Sequence, residues 1–293
     1  MNGLKWFFGF VDYQPSEIEG AGSWQHILST SYFVLGMIAL AVLIGTIMKD
    51  KDYETKNKVL VVSAIAINAF ESIKIITRCM ASDNVVRTVL CNLLPLFLCS
   101  IQLIALPIAA FAKGRIKEAT IDFVMIFGIL GGVLGTVGAI QNYNAYPVFC
   151  FYNIVSAITH SISAFASLYI MISGMISLKK KNMWITFSIT GGFAVIAYLV
   201  NVFNGLVFEG QVFRESGHAA GSNYMFLMFH DGTPYSIFYN ILKGNKVLYP
   251  LLVVGIFIGY AAIVYMVPVI IKKIKEKKTT APSKKEKELE KVN

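Results

Sequence analysis

Apolar residues along the chain are grouped into seven long runs, each bounded by polar or charged residues. The runs cover residues 25–48, 58–77, 88–112, 119–140, 148–178, 184–208 and 248–271. Each reaches the ~20 residues that an α-helix needs to cross a bilayer. The pattern predicts an all-α, polytopic membrane protein with a seven-helix transmembrane domain over residues 25–271.

Three segments lie outside these runs. Residues 1–24 combine aromatic and acidic residues without an uninterrupted apolar core, which predicts an extracytoplasmic interfacial segment. Residues 209–247 form the longest connection and are partly apolar, which fits a lid or re-entrant loop as well as a loop resting on the membrane surface. Residues 272–293 mix lysine with glutamate and predict a basic cytoplasmic tail.

The charge distribution indicates how the chain is oriented. The chain is 56% hydrophobic and 15% charged, with a mean hydropathy of +0.62 and a net charge of +9. Most of its 26 lysines and arginines lie after the first, third, fifth and seventh runs. By the positive-inside rule this predicts a multi-pass plasma-membrane protein whose amino terminus is outside. The positive charge therefore reflects topology, and no nucleic-acid partner is expected.

Polar residues inside the apolar runs are candidates for a functional site, because each is costly in hydrocarbon. In the second run, Asn68, Glu71 and Lys74 recur every three residues and share one helix face, where Glu71 and Lys74 can form an ion pair. Asn201 and Asn204 repeat this spacing. The remaining candidates of this kind are His26, at the start of the first run, and Gln102, in the third. The group predicts a cavity open to the outer face.

Cys99 and His160 are predicted to lie at the same depth. Cys99 is about eleven residues into the third run and His160 about twelve into the fifth, so both lie ~16–18 Å from the outer surface. A buried thiol becomes a nucleophile when an adjacent imidazole accepts its proton, as in acyl transfer. The alternatives are a small apolar core residue for Cys99 and a hydrogen bond between helices for His160.

Other residues give weaker signals. Five glycines in the fourth run, from Gly128 to Gly138, form a smooth helix face that favours close helix packing. Cys79, Cys91 and Cys150 lie near the outer ends of runs, where packing or a disulfide would account for them. His218, His230 and Asp231 are loosely spaced, so neither a metal site nor a cofactor is expected.

Several of these stretches resemble the YwaF family of bacterial integral membrane proteins. The resemblance rests on Gln25-His26, Glu71-Ser72-Ile73-Lys74, Leu94-Pro95-Leu96-Phe97-Leu98-Cys99, the stretch from His160 to Gly174, and Gly221-Ser222-Asn223-Tyr224-Met225-Phe226-Leu227. It extends from Gln25 to Val269. Bacterial members usually have histidine where this chain has Phe97.

That family is similar to an animal transmembrane acyltransferase that acts on ether phospholipids through a cysteine and a histidine. The resemblance implies Cys99 as nucleophile, His160 as base and a membrane lipid as acyl donor or acceptor. We expect Asn201, Asn204 and Asn223 to supply amide donors to an oxyanion, with Tyr224 in support.

A second hypothesis is a non-enzymatic protein that binds or transports a small molecule or lipid at the Asn68-Glu71-Lys74 face. The last run contains no lysine, which excludes a retinal protein, and the chain shows no internal repeat of the kind many transporters contain.

Overall fold

The computed structural model of the chain describes residues 7–8, 18–230, 233 and 235–280, with side chains through residue 271 except at residue 141. Across that part of the chain the secondary structure is helical, apart from one isolated bridge between Phe213 and Ala219. The predicted amino-terminal segment and basic tail lie largely outside the described residues. The helices are α1 (Trp24–Met48), α2 (Tyr53–Met80), α3 (Val85–Thr88), α4 (Gln102–Phe111), α5 (Gly114–Val137), α6 (Ile140–Ala145), α7 (Phe151–Ile172), α8 (Lys180–Glu209), α9 (Ser236–Ile241) and α10 (Leu248–Thr280).

Six helical segments in the described residues are long and apolar enough to cross a membrane. They are α1, α2, α5 together with α6, α7, α8, and the Leu248–Ile271 part of α10. Their outward faces carry large exposed apolar side chains such as Leu35, Ile65, Leu199 and Ile263, which suits helices surrounded by lipid. These observations confirm a multi-pass helical membrane protein.

The predicted helix over residues 88–112 is not continuous. Helix α3 passes into a π-helical turn at Val89–Leu93, residues 94–101 have no regular helix, and α4 begins at Gln102. The cause is Pro95, because a proline drives the preceding residue out of the helical region. Leu94 accordingly has an extended backbone, with φ −66° and ψ 141°. The break places Cys99 in an irregular segment between two helices.

Hydrogen bonds show that this broken segment runs antiparallel to α2 along its length. Asn68 Nδ2 donates to the carbonyl of Leu103 at 3.1 Å, and Asn57 Nδ2 donates to that of Ala110 at 2.9 Å. Nearer the other end of α2, Lys74 and Cys99 line one pocket. The segment therefore covers the distance of a spanning helix although it is not one helix.

The two ends of the bundle differ in charge. We call the end where α2 finishes the Met80 end and the opposite one the Tyr53 end. Two connections rich in basic residues contact each other at the Tyr53 end. Arg115 donates a hydrogen bond to the carbonyl of Lys181, and Lys179 pairs with Glu118 at 2.9 Å. Two of the basic connections that the sequence assigns to one side of the membrane, residues 113–117 and 179–181, therefore meet in the fold.

A buried carboxylate fixes the connection between α7 and α8. Helix α7 ends at Ile172, earlier than the predicted residue 178, and the following residues turn back over α5. Asp122 Oδ1 accepts the backbone N–H groups of Ser177 and Leu178 at 3.1 and 3.0 Å, and its Oδ2 accepts Asn182 Nδ2 at 3.0 Å. A fully buried carboxylate is tolerated here because N–H donors surround it. Asp122 thus ties α5 to the start of α8.

Candidate functional site

Three elements enclose a small polar pocket inside the bundle. Helix α2, the irregular segment 94–101 with the start of α4, and α7 contribute its walls, and its volume is about 30 Å³. A cavity of this size holds about one or two water molecules. The lining residues are Ile67, Glu71, Lys74, Cys99, Ser100, Leu103, Thr159 and His160.

Cys99 is seated against the glycine face of α5. A β-carbon added at Gly131 would lie 3.0 Å from both Cα and Cβ of Cys99, so only a glycine allows this approach without displacement. The thiol sulfur lies 4.0 Å from the hydroxyl of Ser100. The thiol is free, as are those of Cys79, Cys91 and Cys150. Because the helix is broken at Pro95, Cys99 projects into the pocket from irregular backbone.

His160 is seated one turn further along the same glycine face. A β-carbon added at Gly135 would lie 2.7 Å from Nε2 of His160 and would overlap the rest of the imidazole. Among the described residues the imidazole has no hydrogen-bond partner, so packing orients the ring, and the contact with Gly135 is part of that packing. The glycine face that favours close packing therefore also positions both predicted catalytic residues.

An ion pair forms the α2 side of the pocket. Lys74 Nζ lies 2.8 Å from Glu71 Oε2, and the two side chains are only 11% and 12% exposed. The Lys74 ammonium also lies 5.5 Å from the ring centroid of Tyr152, within the range of a cation–π contact. The predicted pairing of Glu71 with Lys74 is confirmed. The two opposite charges compensate each other, and the Lys74 ammonium lines the same pocket as Cys99.

Two further candidates adjoin the pocket in different ways. Asn68 lies one turn below Glu71 and donates Nδ2 to the carbonyls of Ala64 and Leu103, so it connects α2 to α4. Gln102 is fully buried at the start of α4, and within the described part of the chain neither of its amide atoms has a hydrogen-bond partner. Neither residue lines the pocket itself.

His26 belongs to a different place in the fold. Its Nδ1 accepts the backbone N–H of Gly22 at 3.0 Å, and its ring lies on Tyr143 with centroids 4.3 Å apart. The side chain is buried at the start of α1 and does not line the Cys99 pocket. The structure therefore does not bring His26 together with His160.

The remaining candidates form a second buried cluster at the Met80 end. Asn201 accepts the backbone N–H of Tyr224 and the hydroxyl of Ser222, both at 2.8 Å, and returns an amide hydrogen to the Tyr224 carbonyl. Asn204 donates to Ser222 Oγ at 2.9 Å and to the carbonyl of Leu90 at 2.6 Å. Asn223 caps its own loop by accepting the N–H of Met228. These amides fold the connection between α8 and α10 into the bundle, and none of them lines the pocket.

Tyr224 links that cluster to the broken segment. Its side chain is fully buried, and its hydroxyl donates to the carbonyl of Leu90 at 3.0 Å and accepts the N–H of Leu94 at 3.2 Å. Burial raises the pKa of the Tyr224 hydroxyl, so it remains protonated and able to donate. The ring of Phe97 contacts Tyr224 with centroids 5.2 Å apart. Phe97 thus joins the loop to the segment that carries Cys99.

Sequence reasoning missed several contributors to the pocket. Ser100 and Thr159 line it, but a hydroxyl beside a candidate residue gives no signal that separates it from the many serines and threonines in helices. The spacing of the glycines in α5 was visible, but what they contact depends on how α5 and α7 cross. Of the loosely spaced loop residues His218, His230 and Asp231, Asp231 lies outside the described residues, and no group of three or more His, Cys, Asp or Glu side chains that could hold a metal ion occurs within the described ones.

Comparison with known proteins places the chain in a family. No curated protein and no solved structure matches it significantly. The family model described as the TMEM164 family matches residues 21–272, which covers the pocket, the glycine face of α5 and the second cluster. The match agrees with the multi-pass helical fold, and the chain belongs to the TMEM164 family.

Proposed function

We propose that this protein is a membrane-lipid acyltransferase or lipid-ester hydrolase that works through a thioester on Cys99, with His160 as the base. The observation that carries the proposal is that both side chains line one small polar pocket and pack against neighbouring turns of a single glycine face. We also infer that, within the family, the chain is a bacterial YwaF-type protein, on the basis of the run from Leu94 to Cys99.

The first step transfers an acyl group to the sulfur. Cys99 attacks the ester carbonyl carbon as its proton passes to His160; the C–O bond then breaks, and His160 returns the proton to the departing alkoxide. In the second step a lipid hydroxyl or water attacks the thioester, and the proton of that nucleophile reaches the sulfur through His160. The Lys74 ammonium and the Ser100 hydroxyl line the same pocket and are the donors for the oxyanion formed in each step.

The pocket's size limits which part of the substrate enters it. About 30 Å³ accommodates an ester carbonyl or a water molecule but not an acyl chain, so the chain of the substrate remains among the helices or in the surrounding lipid. The basic Tyr53 end faces the cytoplasm in this proposal, following the positive-inside rule. The broken segment then serves as a discontinuous seventh crossing of the plasma membrane, and the pocket lies nearer the outer face.

Intact-protein mass spectrometry tests the proposal directly. After incubation with mixed phospholipids, the native protein is expected to gain an acyl mass that hydroxylamine removes, because hydroxylamine cleaves thioesters. Cys99→Ala is expected to lose this mass. Cys91→Ala removes another free thiol from the predicted run 88–112 and is expected to keep the acyl mass. An unmodified, folded native protein that turns over no lipid would overturn the proposal.

The second hypothesis is a binding or transport protein centred on Asn68, Glu71 and Lys74. The buried Glu71–Lys74 pair within the pocket favours it, since an intramembrane ion pair often marks a solute path. Against it, the cavity is far smaller than a typical ligand pocket of ~300–1,000 Å³. Loss of function in Glu71→Gln together with unchanged function in Cys99→Ala would favour this alternative.

A further inference from the structure

Arg78 is held between two tyrosine rings at the Met80 end of α2. Its guanidinium carbon lies 5.2 Å from the ring centroid of Tyr146 and 5.0 Å from that of Tyr152, and one guanidinium nitrogen donates to the Tyr146 hydroxyl at 3.0 Å. Guanidinium groups stack well on aromatic faces, and the hydrogen bond fixes the group's rotation. The cation is therefore oriented before any ligand arrives.

The charge of Arg78 is not compensated within the described residues. The ion pairs found among those residues are Lys74 with Glu71, Arg87 with Glu209, and Lys179 with Glu118. None of them includes Arg78, and no carboxylate of the described residues lies within 4 Å of it. Glu19, which the chain brings to the same end, accepts the backbone N–H of Val148 instead. Apart from the bond to Tyr146, the guanidinium donors have no partner in this part of the chain.

The position of Arg78 relates it to the pocket. Lys74 lines the pocket and Arg78 follows four residues later on the same helix, so the guanidinium is one turn, or ~6 Å, nearer the membrane surface. The ring of Tyr152 contacts both cations and so lies between Lys74 and Arg78. An anion bound at Arg78 would therefore sit above the thiol of Cys99, on the side from which a headgroup approaches.

We propose that Arg78, between Tyr146 and Tyr152, binds the phosphate anion of the lipid on which Cys99 acts. This inference rests on the proposed function. An oriented guanidinium group whose N–H donors are unpaired can donate hydrogen bonds to two phosphate oxygens at once. Such charge-assisted hydrogen bonds are stronger than those between neutral groups. A phosphate held there leaves the glycerol esters to reach one turn deeper, where the pocket opens. The same chemistry would accept free phosphate, which the experiment separates from a lipid.

Native mass spectrometry in an uncharged detergent measures this binding without requiring turnover. The probes are phosphatidylglycerol, diacylglycerol with the same acyl chains, and inorganic phosphate. The expected result is retention of phosphatidylglycerol in preference to diacylglycerol, with Arg78→Gln weakening that retention about tenfold or more. Arg78→Lys keeps the positive charge but not the paired N–H donors of the guanidinium group, and it is expected to weaken the retention of phosphatidylglycerol less than Arg78→Gln does. Arg87→Gln is the matched control, because Arg87 already pairs with Glu209, and it should bind as the native protein does.

Several results would overturn the inference. Equal retention of phosphatidylglycerol and diacylglycerol, or unchanged retention by Arg78→Gln, would show that Arg78 does not recognise phosphate. Inorganic phosphate that binds as tightly as phosphatidylglycerol would show that the ligand is not a lipid. If thermal unfolding shows that Arg78→Gln does not fold, Tyr152→Leu replaces it, and unchanged retention by that variant would equally contradict the role. Cys99→Ala should retain phosphatidylglycerol, so an absent thioester and absent phosphate binding remain distinguishable failures.

Discussion

Replacement of Gly135 by alanine tests how His160 is positioned. The added β-carbon would lie 2.7 Å from Nε2, whereas unstrained contacts between such atoms begin at about 3.5 Å, so the ring has to move by about 1 Å. Because the imidazole has no hydrogen bond within the described residues, no hydrogen bond there would oppose this displacement. A displacement of this size costs about 10²-fold in rate when the moved group takes part in the chemistry.

The rate at which Cys99 gains a hydroxylamine-labile acyl group is the measurement, with thermal unfolding recorded for each variant. Gly135→Ala is expected to acylate about 10²-fold more slowly and to lose about 1–3 kcal/mol of stability from overpacking. Gly191→Ala adds the same methyl on α8, where nothing lies within 4 Å, and should keep the native rate. Gly128→Ala crowds Ser163 and Ser167 at the same helix contact without approaching His160, so it reports the effect of overpacking alone. A native rate in Gly135→Ala would refute the reasoning.

Further predictions concern the residues that hold the site together. Asp122→Ala leaves buried N–H groups without an acceptor, at about 1–3 kcal/mol each, and should lower the unfolding temperature more than any surface alanine substitution. Tyr224→Phe removes the hydrogen bonds to Leu90 and Leu94 and is expected to cost about 1–3 kcal/mol and to speed limited proteolysis of the loop after α8; unchanged cleavage would contradict the docking role. Glu71→Ala leaves the buried Lys74 ammonium unpaired and should destabilise the protein by about 3–5 kcal/mol in thermal or denaturant unfolding, whereas an exposed pair would contribute under 1 kcal/mol.

Hydropathy predicted most of the fold because burial in lipid demands long apolar helices with their hydrogen bonds satisfied internally. It could not predict that residues 88–112 form two helical pieces, because an apolar run has the same composition whether or not its backbone is continuous. Pro95 was the visible sign of a break. What allows the break is the hydroxyl of Tyr224, 130 residues away, and that contact cannot be read from local sequence.

Depth along the chain placed Cys99 and His160 close together, and both line one pocket, although the estimate assumed a continuous helix over residues 88–112 and the structure breaks that helix at Pro95. The roles of Asn201 and Asn204 were not predictable. Their spacing resembles that of a cavity face, but their partners are backbone groups of a loop whose path depends on the complete fold. The same limit applies to Gly131 and Gly135, whose contacts depend on the crossing of α5 over α7.

The hydrogen bonds of Tyr224 have a consequence for biosynthesis. During synthesis of the chain, the carbonyl of Leu90 and the N–H of Leu94 lack the hydroxyl of Tyr224 until α8 and the loop after it have been made. A nascent chain that ends before residue 224 therefore lacks part of the hydrogen bonding of the segment that carries Cys99. The backbone around Cys99 is thus fixed in place only late in translation, after α8 and the loop that follows it have been made.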